Sequence, residues 1–139
     1  MTNKFAVIAT GPDYDKLRFA LSAAAVLAQE YETSISIVVP TLSNVRNTIL
    51  SKLLGVEYTK NLLKDKPSLL ENRPVTLSSI RTFNPHSEKG VVIGIWGGAK
   101  MLSTIDKAVT AKAIIAISWN EIDITDWANN DDVKIIGES

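Results

Sequence analysis

Four short apolar runs punctuate the chain: FAVIA at 5–9, ISIVV at 35–39, VVIGIW at 91–96 and AIIAIS at 113–118. They mostly lack strict alternation of apolar and polar positions, the pattern of strands covered on both faces. Between the first two, Leu17, Leu21, Ala24, Ala28 and Tyr31 recur every three or four residues behind candidate caps at Asp13 and Asp15, which predicts an amphipathic helix. Strand, helix, strand is the parallel crossover unit. After the second run, Ser43 is placed to cap a helix with the stripe Val45, Ile49 and Leu53, and Gly55 falls where a C-terminal cap belongs. A second short helix is expected around 56–63.

The segment from Lys64 to Arg73 contains Pro67 and ends at Pro74, so it reads as a connection with one helical turn in SLLE. VTLSSIRTF at 75–83 is strand-like, but only NPHSEKG separates it from the next run. A parallel crossover usually takes about a dozen residues or more, so this strand is expected to be antiparallel or displaced from the main sheet. Ala99, Leu102, Ile105 and Val109 mark a helix that returns into AIIAIS, and a loop and short helix at 120–130 lead to VKIIG, read as an edge strand. No internal repeat, low-complexity tract or linker interrupts the pattern. The expected architecture over 1–139 is a single three-layer α/β domain, Rossmann-like or flavodoxin-like, with a mainly parallel sheet and helices on both faces.

Composition narrows the classes of partner. Fifteen basic and fifteen acidic residues give a formal net charge of zero, so no global field favours nucleic acid or an anionic membrane, and a charged ligand must be held by local geometry. Arg18, Arg46, Arg73 and Arg81 fall in different elements and form no basic stripe for nucleic acid. The absence of cysteine removes disulfides, thiolate metal sites and cysteine nucleophiles, and is compatible with a reducing compartment. The apolar opening before Gly11-Pro12 is too short for a signal-peptide core, and FALSAAAVLA at 19–28 is about half the length needed to cross a bilayer. A cytoplasmic protein without membrane contact is expected.

Ligands of open α/β sheets usually bind beyond the carboxyl ends of the strands. The four runs release into TGPDYDK, PTLSNVRN, GGAKM and WNEIDITDW. If they are parallel, Thr10, Gly11, Thr41, Ser43, Gly97, Gly98, Lys100, Trp119 and Asn120 share one rim. Gly97 and Gly98 permit positive φ and close backbone approach, the following helix offers free N–H groups, and Lys100 adds a charge, which together suit a phosphate or carboxylate. The string matches neither Walker A nor GxGxxG, and paired glycines equally serve a strand that turns sharply into a helix. Trp96 and Trp119 each close a strand, where an indole either stacks on a nucleobase-like ring or plugs the core. Trp127 reads as the anchor of the last helix.

Other chemistry is thinner. Glu121, Asp123, Asp126, Asp131 and Asp132 collect in one loop, as magnesium ligands or acid–base groups in one reading and as solvated side chains, with Asp123 or Thr125 capping a helix, in the other. The pattern is not an EF-hand loop, and no metal site is assigned. His86, the only histidine, sits in a turn with no nucleophile elbow anywhere in the chain. No catalytic group is identifiable and no cofactor is assigned. On the first helix, Phe19, Ala23 and Val26 form a second apolar side nearly opposite the first, to be covered within the chain or by another copy of it. The leading functional reading is a small-molecule-binding domain for a phosphate-bearing or nucleotide-like ligand. The alternative is a non-enzymatic interaction module or homo-oligomer subunit acting through the first helix or the tryptophan-rich C-terminal quarter, and a hydrolase or transferase using the acidic loop trails both.

Overall fold

A computed structural model of the chain describes residues 3–9, 13–42, 49–64, 66–118, 121–130 and 133–136. Its strands are β1 (Asn3–Val7), β2 (Ile35–Val39), β3 (Ser68–Leu70), β4 (Arg73–Ser79), β5 (Val91–Gly97), β6 (Ala113–Ser118) and β7 (Val133–Ile136). Its helices are α1 (Tyr14–Glu30), α2 (Ile49–Leu54), α3 (Val56–Leu63), α4 (Ala99–Asp106) and α5 (Glu121–Asn130). The strands form one sheet in the order β3-β4-β2-β5-β6-β1-β7, parallel throughout except for β3. The expected three-layer α/β architecture is present.

The unalternating apolar runs are explained by their positions. β2, β5, β6 and β1 occupy the middle of the sheet, and every described side chain from Val91 to Ile95 and from Ala113 to Ile117 is buried. Ile37, Ile93 and Ile115 lie in register and pack with α1, α2 and α3 on one face, together with Leu17, Leu50 and Leu62. Val38, Val92, Ile114 and Ala116 point to the opposite face, where Met101, Ile105, Ile124 and Trp127 of α4 and α5 cover them. Each buried large aliphatic side chain contributes about 1.5–3 kcal/mol of transfer free energy, so these two cores hold the layers together.

Local chemistry sets the element ends. The Asp13 carboxylate accepts the Lys16 N–H at 3.1 Å and caps α1. At the other end Glu32 takes a left-handed φ of 52°, while the N–H groups of Glu32 and Thr33 bond the carbonyls of Gln29 and Ala28, the Schellman arrangement with glutamate in the usual glycine position. Gly55, at φ 95°, separates α2 from α3 as expected. The proposed cap Ser43 and stripe residue Val45 lie outside the described residues.

Several sequence expectations are corrected. The strand expected at 75–83 runs from Arg73 to Ser79, is parallel to β2 and belongs to the main sheet. The connection through 80–90 to β5 crosses β2 with no α-helix, only the 3-10 turn Pro85–Ser87, because an extended chain at about 3.3 Å per residue covers both the return along one strand and two strand spacings of about 4.8 Å. Glu88 pins this connection by accepting the Ser36 hydroxyl and, at 2.7 Å, the Gly90 N–H, while its carbonyl accepts the Thr110 hydroxyl at 2.7 Å. The SLLE segment is not a helical turn: Ser68–Leu70 is the antiparallel edge strand β3, joined to β4 through Glu71 and Asn72 at φ 50° and 69°, the two left-handed positions of a type I′ hairpin turn. Val109 lies beyond the end of α4 and is exposed, and Tyr31 is an exposed C-cap rather than part of the buried stripe. Asp123 and Thr125 sit inside α5, so neither caps its start.

The outer edge of β3 is closed by Tyr58 of α3, whose hydroxyl donates to the Leu69 carbonyl at 2.7 Å. Satisfying that carbonyl blunts an edge otherwise open to strand addition. Burial raises the Tyr58 phenol above its ordinary value of 10.0. The folded state thus favours the neutral phenol, so this contribution is complete below about pH 10 and lost as the pH rises through the folded value. The expected result is a urea midpoint that falls more steeply above about pH 10 in the native protein than in Tyr58→Phe. Parallel curves for the two proteins would contradict it.

Candidate functional site

The paths taken by the chain define where a crevice can open. After β1 and β2 the chain proceeds to α1, α2 and α3 on one face, whereas after β5 and β6 it proceeds to α4 and α5 on the other. β2 lies beside β5, and β1 beside β6. At both pairs the adjacent parallel strands send their connections to opposite faces, the topological switch points at which α/β sheets hold ligands. Thr41 follows β2, Gly97 ends β5, and Gly98 and Lys100 follow it at the same carboxyl edge, with Thr41, Gly98 and Lys100 exposed. Thr10, Gly11, Ser43, Trp119 and Asn120 lie outside the described residues.

The end of β5 is irregular. Ile95 pairs with Ile117 and Gly97 with Ser118, so Trp96 is an extra residue, a bulge in a parallel ladder. Trp96 has φ 56°, an outlier for a bulky side chain, and such backbone costs on the order of 1–3 kcal/mol. The bulge re-aims the indole. Gly94 faces Met101 and Ile105 on the α4 side, and simple alternation would put Trp96 on that side too, but its side chain packs against the core beneath α1 and α2. Gly97 takes the place on the α4 side instead.

The two glycines do different work. Neither has positive φ; the left-handed position at this turn belongs to Trp96. A Cβ on Gly97 would lie 2.2 Å from the Met101 Cβ, so the missing side chain is what lets the first turn of α4 close on the strand. Gly98 is the N-cap of α4 and offers no capping side chain. Close to it stands Asp123 of α5: a Cβ on Gly98 would be 3.2 Å from the Asp123 Oδ2. A carboxylate beside the positive end of α4 is electrostatically favoured. Sequence reasoning placed Asp123 in an acidic loop and missed this juxtaposition, which needs α5 to begin at Glu121 and pack against α4.

Among the described residues no group of three or more His, Asp and Glu side chains is arranged to hold a metal ion. Asp126 is exposed, His86 lies in a 3-10 turn at Pro85–Ser87 that packs against α4, and Asp131 and Asp132 lie outside the described residues. Trp127 is buried in the α4–α5 core and its indole N–H donates to the Asp106 carboxylate at 3.2 Å, which makes it the anchor the sequence suggested. No described helix is long and apolar enough to cross a membrane. Comparison with protein families, with curated proteins and with solved structures returns no match, so the functional reading rests on the geometry of this chain.

Proposed function

We propose that this α/β domain binds a phosphate-bearing or nucleotide-like small molecule at the carboxyl edge of its sheet, in the crevice between the ends of β2 and β5. The observation that carries the reading is the left-handed bulge at Trp96: a strained, bulky residue at a switch point is a costly arrangement of the kind that clusters at ligand sites. In this reading the backbone at Gly98 and the Lys100 ammonium meet the anionic part of the ligand, and Trp96 flanks its ring. Thr41 supplies a hydroxyl from the β2 side. The Asp123 carboxylate competes with the ligand's anion for the start of α4 and so limits binding of simple anions.

A thermal-shift panel of ribonucleotides, sugar phosphates and inorganic phosphate tests the proposal, since a ligand at about 100 times its Kd stabilises by about 2.7 kcal/mol. For a stabilising compound, Lys100→Ala is expected to weaken binding about tenfold, the loss of one charge-assisted hydrogen bond, with stability unchanged or slightly raised. Asp123→Asn is expected to strengthen anion binding. Unaltered affinity in both variants, measured by titration calorimetry, would place the ligand elsewhere.

A second reading, homo-oligomerisation through α1, is supported by the outer side of that helix. Phe19 is 41% and Val26 64% exposed, with Ala23 partly buried between them, so the second apolar side is not covered by the described part of the chain.

A further inference from the structure

Resting on the first of these readings, we infer that the ligand carries two anionic groups and spans the end of β2, with Lys100 after β5 meeting one group and Arg81 after β4 meeting the other. The paths of the neighbouring strands single out β2. Ile80 packs against the core beneath α4 and Phe83 is buried in it, so the chain leaving β4 passes to the same face as the chain leaving β5. The chain leaving β2 passes to the opposite face, toward α2 and α3. Because β2 lies between β4 and β5, a switch point flanks its end on both sides, and the two openings adjoin there. The three strands are closely matched in register, Ser79 pairing with Val39 and Gly94 with Val38.

Arg81 is presented at this edge by a fixed turn. The Ser79 carbonyl accepts the N–H groups of Thr82 at 3.1 Å and Phe83 at 2.9 Å, and the Ser79 N–H donates to the Thr82 hydroxyl at 2.9 Å. The Ile80 N–H donates to the Val39 carbonyl at 3.0 Å and ties the turn to the end of β2. Of the two inner positions of the turn, Ile80 is drawn against the core and Arg81 is left exposed. A backbone ordered in advance lowers the cost of binding through the cation it carries. Among the described residues neither Arg81 nor Lys100 is engaged in an ion pair. The two cations stand at the starts of neighbouring segments, since the 80–90 connection and α4 cover the same face and touch at Pro85–Ser87. β4 and β5 are two strand spacings apart, about 10 Å. A sugar bisphosphate or nucleoside bisphosphate, with a phosphate at each end, matches cations set this far apart. Asp123 comes from the chain leaving β6, on the opposite side of β5 from β4, so the carboxylate at Gly98 directs the second anionic group toward Arg81.

Titration calorimetry of the full chain with two pairs of compounds tests it: fructose 1,6-bisphosphate against fructose 6-phosphate, and adenosine 3′,5′-bisphosphate against adenosine 5′-monophosphate. The expected result is that the bisphosphate of at least one pair binds about tenfold more tightly than its monophosphate, the gain from one further charge-assisted contact. Arg81→Ala should abolish that advantage while leaving the monophosphate affinity and the circular dichroism unchanged, and Arg81→Lys should retain part of it. Lys100→Ala should weaken both members of the pair. Bisphosphates that bind no more tightly than monophosphates, or more tightly but without dependence on Arg81, would overturn the two-ended ligand and leave the site at β2 and β5 standing. Equal weakening of both members by Arg81→Ala would put both cations on one phosphate and overturn it as well. Absence of binding by all four compounds would overturn the two-ended ligand together with the phosphate site beneath it.

Discussion

Gly97→Ala is expected to destabilise the domain by about 3 kcal/mol, the upper end of the usual range for overpacking. The added methyl would sit 2.2 Å from the Met101 Cβ and 2.4 Å from its sulfur. The Cβ is fixed to the backbone of α4, so no rotamer change removes the clash, and the helix must lift from β5. Met101 is fully buried beside Leu102 and Ile105, so that movement opens the core on the α4–α5 side. Gly98→Ala is the control: its nearest neighbour is one carboxylate oxygen at 3.2 Å, which can move by a few tenths of an ångström. Denaturant unfolding should therefore rank Gly97→Ala well below Gly98→Ala. Equal stabilities would contradict the close strand–helix approach.

The other large effect is expected at Trp127. Trp127→Ala should cost about 3–5 kcal/mol, the usual penalty for removing a buried aromatic side chain. The residue is 8% exposed and packs in the core beneath α4 and α5. Its indole N–H meets the same Asp106 oxygen that holds the Lys4 Nζ at 2.6 Å, so one carboxylate joins α5, α4 and β1. Trp127→Phe keeps most of the packing and loses only the hydrogen bond, for about 1 kcal/mol. If chemical denaturation shows the two variants equally stable, Trp127 is not the anchor of α5.

The central strands were legible because burial on both faces leaves its mark in composition: Ala113 to Ile117 carry no polar residue, and Ile35 to Val39 only the buried Ser36. α1 was legible through Asp13 and its stripe. The hairpin was not, because Glu71 and Asn72 adopt left-handed φ without the glycine that usually signals it. The direction of β4 was misjudged because the connection that follows it crosses β2 with only a 3-10 turn in place of an α-helix, a matter of spatial reach that the number of intervening residues does not encode. At the candidate site the carboxyl-edge grouping of Thr41, Gly97, Gly98 and Lys100 could be read from the residues after each strand. The left-handed Trp96 and the approach of Asp123 could not, since one is imposed by the bulge opposite β6 and the other by packing between α4 and α5.

The most direct measurement of the proposed site is an amide-proton NMR titration of the protein with ribonucleotides and sugar phosphates, following the Trp96 indole and the backbone amides of Gly97 and Gly98. The account predicts saturable shifts concentrated at these three residues and at Thr41, weakened by Lys100→Ala and strengthened by Asp123→Asn. Shifts that leave Trp96, Gly97 and Gly98 in place while the compound demonstrably binds would contradict it.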